Sequence, residues 1–409
     1  MTMAPDRAPG VLECEGFELV GYCDLGKRPG FKLALTERDG RWFLYTGHLW
    51  ESGWSVVDVT DPAAPRVVHT MAGPETTWTI QVQAADGLLV TALERPVPGW
   101  GVPEGAPYSE GVLLWDLTGD PAEPELVGEW RTGSYGTHRN FYAGGRHAYL
   151  TAAGPDVVGQ CLVILDVSDP AAPREVSRWA WPDQLAGTGE PPLAYLHGPA
   201  YVSGDLAYLP YGRVGLVVLD VSDVRSPRLV SVLGFGDLGS FLGLHSAVPI
   251  PERDLLVVNS EAIEEHGREA LNYAFVVDVA DPSRPRVLSS LPVPRPGPGL
   301  PYPSYYDKGG RFGPHNQHHH QGNPAHFRLR EHVLMTYFNA GLRLFDISDA
   351  REPREVGWFV PEDPAERRGV LPTELATQFE DVVVDARGYV YCTDKNHGVF
   401  VLRYAPGLR

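Results

Sequence analysis

The chain has 409 residues, and its 34 Lys+Arg against 52 Asp+Glu leave a formal charge of −18. That balance excludes nucleic acid and anionic membrane as partners that reward clustered positive charge. The 45 Gly and 38 Pro favour many tight turns over long helices.

The first residues, Met1 to Gly16, carry Asp6, Glu13 and Glu15 and no apolar run, so no signal peptide is expected. Nowhere do 18 apolar residues follow one another, so no membrane span is expected either. The four cysteines, Cys14, Cys23, Cys161 and Cys392, form no CxxC pair and read as buried thiols of a reducing, cytoplasmic compartment.

Glu18-Leu19-Val20-Gly21-Tyr22 opens the strand pattern. From there one phrase recurs six times, at Asp58 (DVTDPAAPR), Asp116 (DLTGDPAEPE), Asp166 (DVSDPAAPR), Asp220 (DVSDVRSPR), Asp278 (DVADPSRPR) and Asp346 (DISDAREPR). Each copy lies between two β-branched runs, such as Leu216–Leu219 and Arg228–Val232, so Asp and Pro specify a turn between antiparallel strands. Two further strands precede each phrase, as at His197–Val202 and Leu206–Tyr211, which makes a four-stranded unit the size of a β-propeller blade. After the sixth copy come Phe379–Asp385, Tyr389–Thr393 and Val399–Tyr404, three strands with the outermost missing. The strand at about 17–24 supplies it and pairs both open edges. The expectation is an all-β, seven-bladed propeller forming one domain over 1–409. Its blades fall at about 31–71, 77–130, 136–181, 195–235, 243–292, 314–360 and 377–404.

The blade consensus, as in GLVVLDVSDVRSPRLVSVL and GLRLFDISDAREPREVGW, resembles the LVIVD-repeat family of bacterial β-propellers over nearly the whole chain. The resemblance implies the fold and is nearly silent on activity.

Long insertions gather on one face of the disc, at Arg95–Gly111, Trp181–Tyr195, Glu261–Asn272, Pro292–Pro314 and Pro361–Thr377, which marks it as the working face. They carry Trp100, Tyr108, Trp181, Tyr195, Tyr302, Tyr305, Tyr306 and Phe312, candidate walls of an aromatic pocket. Inner strands begin on that face, and several begin with histidine. His138 precedes Ala148 by the same ten residues that separate His197 from Ala207, and His245 fits with one extra residue. Blade six offers Pro314-His315-Asn316-Gln317-His318-His319-His320, from which His318 is favoured, with His315 and His320 in reserve. Imidazoles at one height on successive blades converge on the axis, where neutral histidine ligates Fe, Mn, Zn or Cu. His69, His147, His266, His326, His332 and His397 sit in outer strands or turns.

The expected centre is one transition-metal ion, Fe(II) favoured, on His138, His197, His245 and His318. Glu94 and Glu261 act as second-shell acceptors and Glu380 as catalytic base, with direct ligation of the metal by one of the three as the alternative. This arrangement is similar in site geometry to that of carotenoid-cleavage oxygenases, and it implies an O₂-dependent oxygenase acting on a small apolar or aromatic substrate. A non-redox lyase, isomerase or hydrolase is the enzyme alternative, since oligogalacturonate lyases also place a His-ligated metal on such an axis. A non-catalytic interaction propeller is the alternative of another class.

Overall fold

The computed structural model describes residues 6–97, 102–185, 195–235, 238–269 and 272–409. Among them the strands form seven four-stranded antiparallel sheets, the blades of a β-propeller. Blade one is Gly30–Arg38, Arg41–His48, Gly53–Asp58 and Arg66–Ala72. Blade two is Val82–Ala85, Leu88–Leu93, Gly111–Asp116 and Glu125–Trp130. Blade three is Thr137–Phe141, His147–Gly154, Val157–Asp166 and Arg174–Trp179. Blade four is Tyr201–Ser203, Leu206–Tyr211, Gly215–Asp220 and Arg228–Leu233. Blade five is Leu242–Ile250, Leu255–Glu261, Ala274–Asp278 and Arg286–Ser290.

Blades six and seven share the N-terminal segment. Blade seven, Phe379–Val384, Tyr389–Asp394 and Gly398–Tyr404, is completed by Phe17–Cys23, which pairs from Phe17 opposite Tyr404 to Cys23 opposite Val399. The closing strand is the one its apolar pattern indicates. A short strand just before it, Val11–Glu15, lies on the outer edge of blade six beside Arg354–Pro361, a pairing the polar sequence VLECE does not announce. Gly16, at φ +71, turns the chain from one blade to the next, and a Cβ there would sit 2.5 Å from the Tyr404 ring.

The ring is held by apolar layers between blades. Val90, Val112 and Leu114 of blade two pack with Leu150, Cys161 and Val163 of blade three. Closure repeats this on both sides of blade seven: Phe379, Phe400 and Leu402 meet Leu342, Leu344 and Phe359 of blade six. Tyr391 and Val401 meet Leu33, Leu35 and Leu44 of blade one. Of the cysteines, Cys23, Cys161 and Cys392 are buried thiols, whereas Cys14 is exposed on its edge strand. No helix among the described residues is long and apolar enough to cross a membrane.

The recurring Asp residues are turn chemistry. Asp58, Asp116, Asp166, Asp220, Asp278 and Asp346 each accept the backbone N–H two residues on, at 2.7–3.0 Å. Asp58, Asp220 and Asp278 also each accept from the Arg eight residues later, at 2.7 Å. These partners depress the carboxyls of Asp58, Asp166, Asp220, Asp278 and Asp346: the Ser222 hydroxyl and N–H, with Arg228, hold Asp220 at about 2. A carboxyl whose folded value lies below its unfolded value of about 3.9 stabilises the fold above that value, and loses the contribution as pH falls through the folded one. The midpoint advantage of the wild type over Asp220→Asn is therefore expected to be level above about pH 5 and to shrink steadily between about pH 4 and pH 2. An advantage unchanged down to pH 3 would remove these turns from the stability account.

The short-turn end of the channel holds a feature that the sequence does not reveal. The connection between the first two strands of blade six crosses the axis. Asn323 donates to Leu35 O of blade one and Ala84 O of blade two, at 3.1 and 2.9 Å. Ala325 O accepts from Ala386 N, and Phe327 N donates to Val384 O of blade seven. A cavity of about 510 Å³ lies beside this plug, lined by Phe141, Val248, Ile250, His319 and Arg328.

Candidate metal centre

At the long-loop end of the channel, four imidazoles from blades three to six follow one another around the axis. Ring centroids are 4.5 Å apart for His138 and His197, 5.5 Å for His197 and His245, and 4.9 Å for His245 and His315. His138, His197 and His245 stand where their common offset places them, at or just before the start of an inner strand or within it. In blade six the hub residue is His315, the reserve candidate.

His318, the favoured residue, is placed elsewhere. Its Nδ1 accepts from Val384 N at 3.1 Å, and its Nε2 donates to Phe327 O at 2.7 Å. Both nitrogens are spent on anchoring the plug, because the chain turns across the axis after His315 rather than running on as a regular strand. His320 is half-buried beside the cavity on the plug side, its Nδ1 accepting from Gly322 N.

Three carboxylates surround the imidazoles. Glu94, just past the second strand of blade two, stands with Oε2 2.7 Å from His138 Nδ1, while its Oε1 accepts from Gln160. That contact leaves His138 Nε2 with no partner. Glu380, on the inner strand of blade seven, is 3.3 Å from His315 Nδ1. Glu261 occupies the centre: Oε2 lies 3.2 Å from His197 Nε2 and 3.4 Å from His245 Nε2, and Oε1 lies 3.5 Å from His315 Nε2. Expected as a second-shell acceptor, Glu261 instead stands within the donor group, with one ligand atom each of His197, His245 and Glu261 within 4.8 Å of one another. His315 is differently engaged, because Arg139 donates to its Nε2 at 3.0 Å.

Burial sets the protonation states. It pushes His138 down to about 3 and His197 to about 4, and holds His245 and His315 well below the ordinary value, so the imidazoles are neutral at pH 7. Burial raises Glu94 to about 8, against His197 and Gln160, and raises Glu380 against Arg311. Glu261 moves the other way: burial opposes its charge, but His245, His315 and His197 outweigh that and hold it well below the carboxylate range.

Two cations that the sequence reading does not single out complete the hub. Arg311 donates to Glu261 Oε1 at 3.3 Å and lies 4.0 Å above the Phe338 ring. Lys395, fully buried in the turn after Tyr389–Asp394, has its Nζ 5.5 Å from the Trp50 ring centroid. Burial lowers its ammonium to about 7, with Glu380 opposing. A buried Lys beside a buried Glu carries no local sequence signal, since one lies on an inner strand and the other in the turn after the next strand.

The long-loop aromatics mostly pack the loops onto the disc. Tyr302, Tyr305, Tyr306 and Phe312 pack against one another with ring centroids 4.7–5.8 Å apart. Trp181 joins Trp179 and Tyr211, and Tyr108 packs with Arg95. Tyr195, 6.2 Å from His197, borders the hub. Trp100 lies outside the described residues.

Chemically, neutral imidazoles with one carboxylate form a donor set suited to a divalent transition metal, and two His with one carboxylate is a set used by Fe(II). His138 Nε2, His245 Nε2, Glu261 Oε2 and Glu380 Oε2 are all buried without a hydrogen bond. Such atoms cost roughly 1–3 kcal/mol each when unsatisfied, and a cation among them removes that cost.

Residues 157–180 and 200–233, in blades three and four, match the LVIVD repeat. No curated protein sequence matches the chain. Solved structures similar to it include the periplasmic gluconolactonase PpgL of Pseudomonas aeruginosa, 12% identical, with TM-score 0.55 over 88% of this chain and 93% of that one. The β-propeller domain of Myceliophteria thermophila Cps50 (Swd1) is 12% identical, with TM-score 0.54 over 97% and 99%. U3-55K is 10% identical, with TM-score 0.57 over 98% and 100%. At these identities the likeness is one of fold.

Proposed function

We propose that this chain is an enzyme with one transition-metal ion at the propeller hub. His197, His245 and Glu261 would hold the ion, with His138 Nε2 beside them. The observation that carries this reading is the cluster of His197, His245 and Glu261, whose ligand atoms lie within 4.8 Å of one another, with His245 Nε2 and Glu261 Oε2 buried without a hydrogen bond. Fe(II) is the favoured ion and would supply O₂ activation for oxidation of a small apolar or aromatic molecule.

The chain's own residues have defined parts in this reading. Glu94 fixes the orientation of His138, and the Ser246 hydroxyl, 2.8 Å from His245 Nδ1, does the same for His245. Arg311 holds Glu261 in place. Glu380, whose Oε2 makes no hydrogen bond and lies 3.3 Å from His315 Nδ1, is the group that accepts a substrate proton. The loops above exclude water: Glu265 accepts from Thr373, and Lys308 pairs with Asp363 at 2.9 Å, tying three insertions together.

A second reading is non-redox lyase, isomerase or hydrolase chemistry, favoured by the unpartnered Glu380 oxygen and by the fold shared with a gluconolactonase. The experiment is elemental analysis of protein expressed with metals supplied, followed by O₂ uptake with candidate aromatic substrates. About one equivalent of iron with O₂ consumed supports the oxygenase, and metal-dependent turnover without O₂ uptake supports the second reading. Under about a tenth of an equivalent of any transition metal would sink both. It would leave an interaction propeller, in line with the fold shared with Cps50 and U3-55K.

A further inference from the structure

The hub contains more unmet hydrogen-bonding capacity than a metal ion can absorb, and much of it is cationic. Arg139 Nε, Arg311 Nε and Lys395 Nζ are all buried without a hydrogen-bond acceptor. Lys395 is the extreme case: its side chain is wholly removed from solvent, yet its ammonium forms no hydrogen bond. An ammonium has three N–H groups to place, and burying it unpaired costs several kcal/mol. A metal cation cannot satisfy these donors, so they require an acceptor.

Formal charge leads to the same conclusion. A divalent ion would add two positive charges beside Arg139, Arg311 and Lys395 in a region of low dielectric, which an anion must offset. Lys395 lies beside Trp50, its Nζ 5.5 Å from the ring centroid, so an apolar body seated on Trp50 would bring its acid group toward this cation. Trp50 in turn lines an opening of about 210 Å³ with Trp78, Thr76 and Gly369.

We infer that the substrate carries a carboxylate, received by Lys395 and Arg311 above the metal donors, with its apolar or aromatic part against Trp50. This rests on reading the hub as the catalytic site, and it narrows the substrate from apolar molecules in general to aromatic or aliphatic acids.

The test uses benzoate and benzyl alcohol as matched probes, titrated calorimetrically into the full-length protein. Metal content is measured on the same samples. Benzoate is expected to bind at least tenfold more tightly than benzyl alcohol. Lys395→Met keeps the stem and removes the charge. It is expected to lose that tenfold preference while retaining its metal and a thermal midpoint no lower than the wild type's, and Lys395→Arg should restore part of the preference. Equal affinity of benzoate for the wild-type protein and Lys395→Met would overturn the inference, as would no discrimination between the probes. Discrimination that survives in protein holding no metal would support the carboxylate cradle and sink the metal reading, so the two fail separately.

Discussion

The His197→Ala, His245→Ala double variant is expected to purify without bound transition metal while keeping the propeller's cooperative unfolding. Changes to residues that merely orient ligands already cost about 10–100-fold in metal affinity. Removing two ligands of three should cost at least about 100-fold, leaving Glu261 and His138 unable to retain an ion through purification. The fold is spared because its stability resides in the layers between blades, and neither ring belongs to them. His245 Nε2 has no hydrogen-bond partner to lose. His318→Ala is the matched control and should behave in the opposite way. It keeps the metal but strands Val384 N and Phe327 O, at a cost of roughly 1–3 kcal/mol for each buried group left unpaired. If the double variant held a full equivalent of metal, or if His318→Ala lost it, the assignment of the hub ligands would be wrong.

Deleting residues 1–23 is expected to do the reverse, damaging the fold rather than the chemistry. The strand Phe17–Cys23 pairs along Gly398–Tyr404, and Phe17 and Cys23 are buried on either side of it. Its loss uncovers the Val399–Leu402 edge and removes Cys23 from the layer between blades seven and one. Burying one large apolar side chain is worth about 1.5–3 kcal/mol, so losing several together consumes much of a typical stability of 5–15 kcal/mol. The truncated chain should unfold well below the full-length protein and self-associate through its open strand. A monomer with an unchanged midpoint would show that the ring does not depend on this strand.

The repeat was legible because each copy needs the same two-residue reach from Asp to a backbone N–H, which keeps Asp and Pro at fixed places. The closing strand was legible because ELVGY alternates like the outer strands elsewhere. Val11–Glu15 was not, since a five-residue edge strand with one face in solvent has no need of an apolar pattern. Among the site residues, His138, His197 and His245 could be found by offset because inner strands start at a common height. His318 misled because a run of histidines does not show where the chain leaves the ladder, and the plug, held by side-chain contacts to three distant blades, sets that point. The central place of Glu261 and the buried state of Lys395 depend on which strands become neighbours across the axis.

The composite seventh blade also bears on how the molecule is made. Tyr22 and His397, hydrogen-bonded in the finished ring, are 375 positions apart. At about 5–20 residues per second on the ribosome, the first strand waits roughly 20–75 s for its partner. Throughout that interval six blades can assemble vectorially while the amino-terminal strand remains without a mate. Nascent chains should therefore recruit holdase chaperones until translation ends, and a stall near the last blade would yield an open, sticky horseshoe.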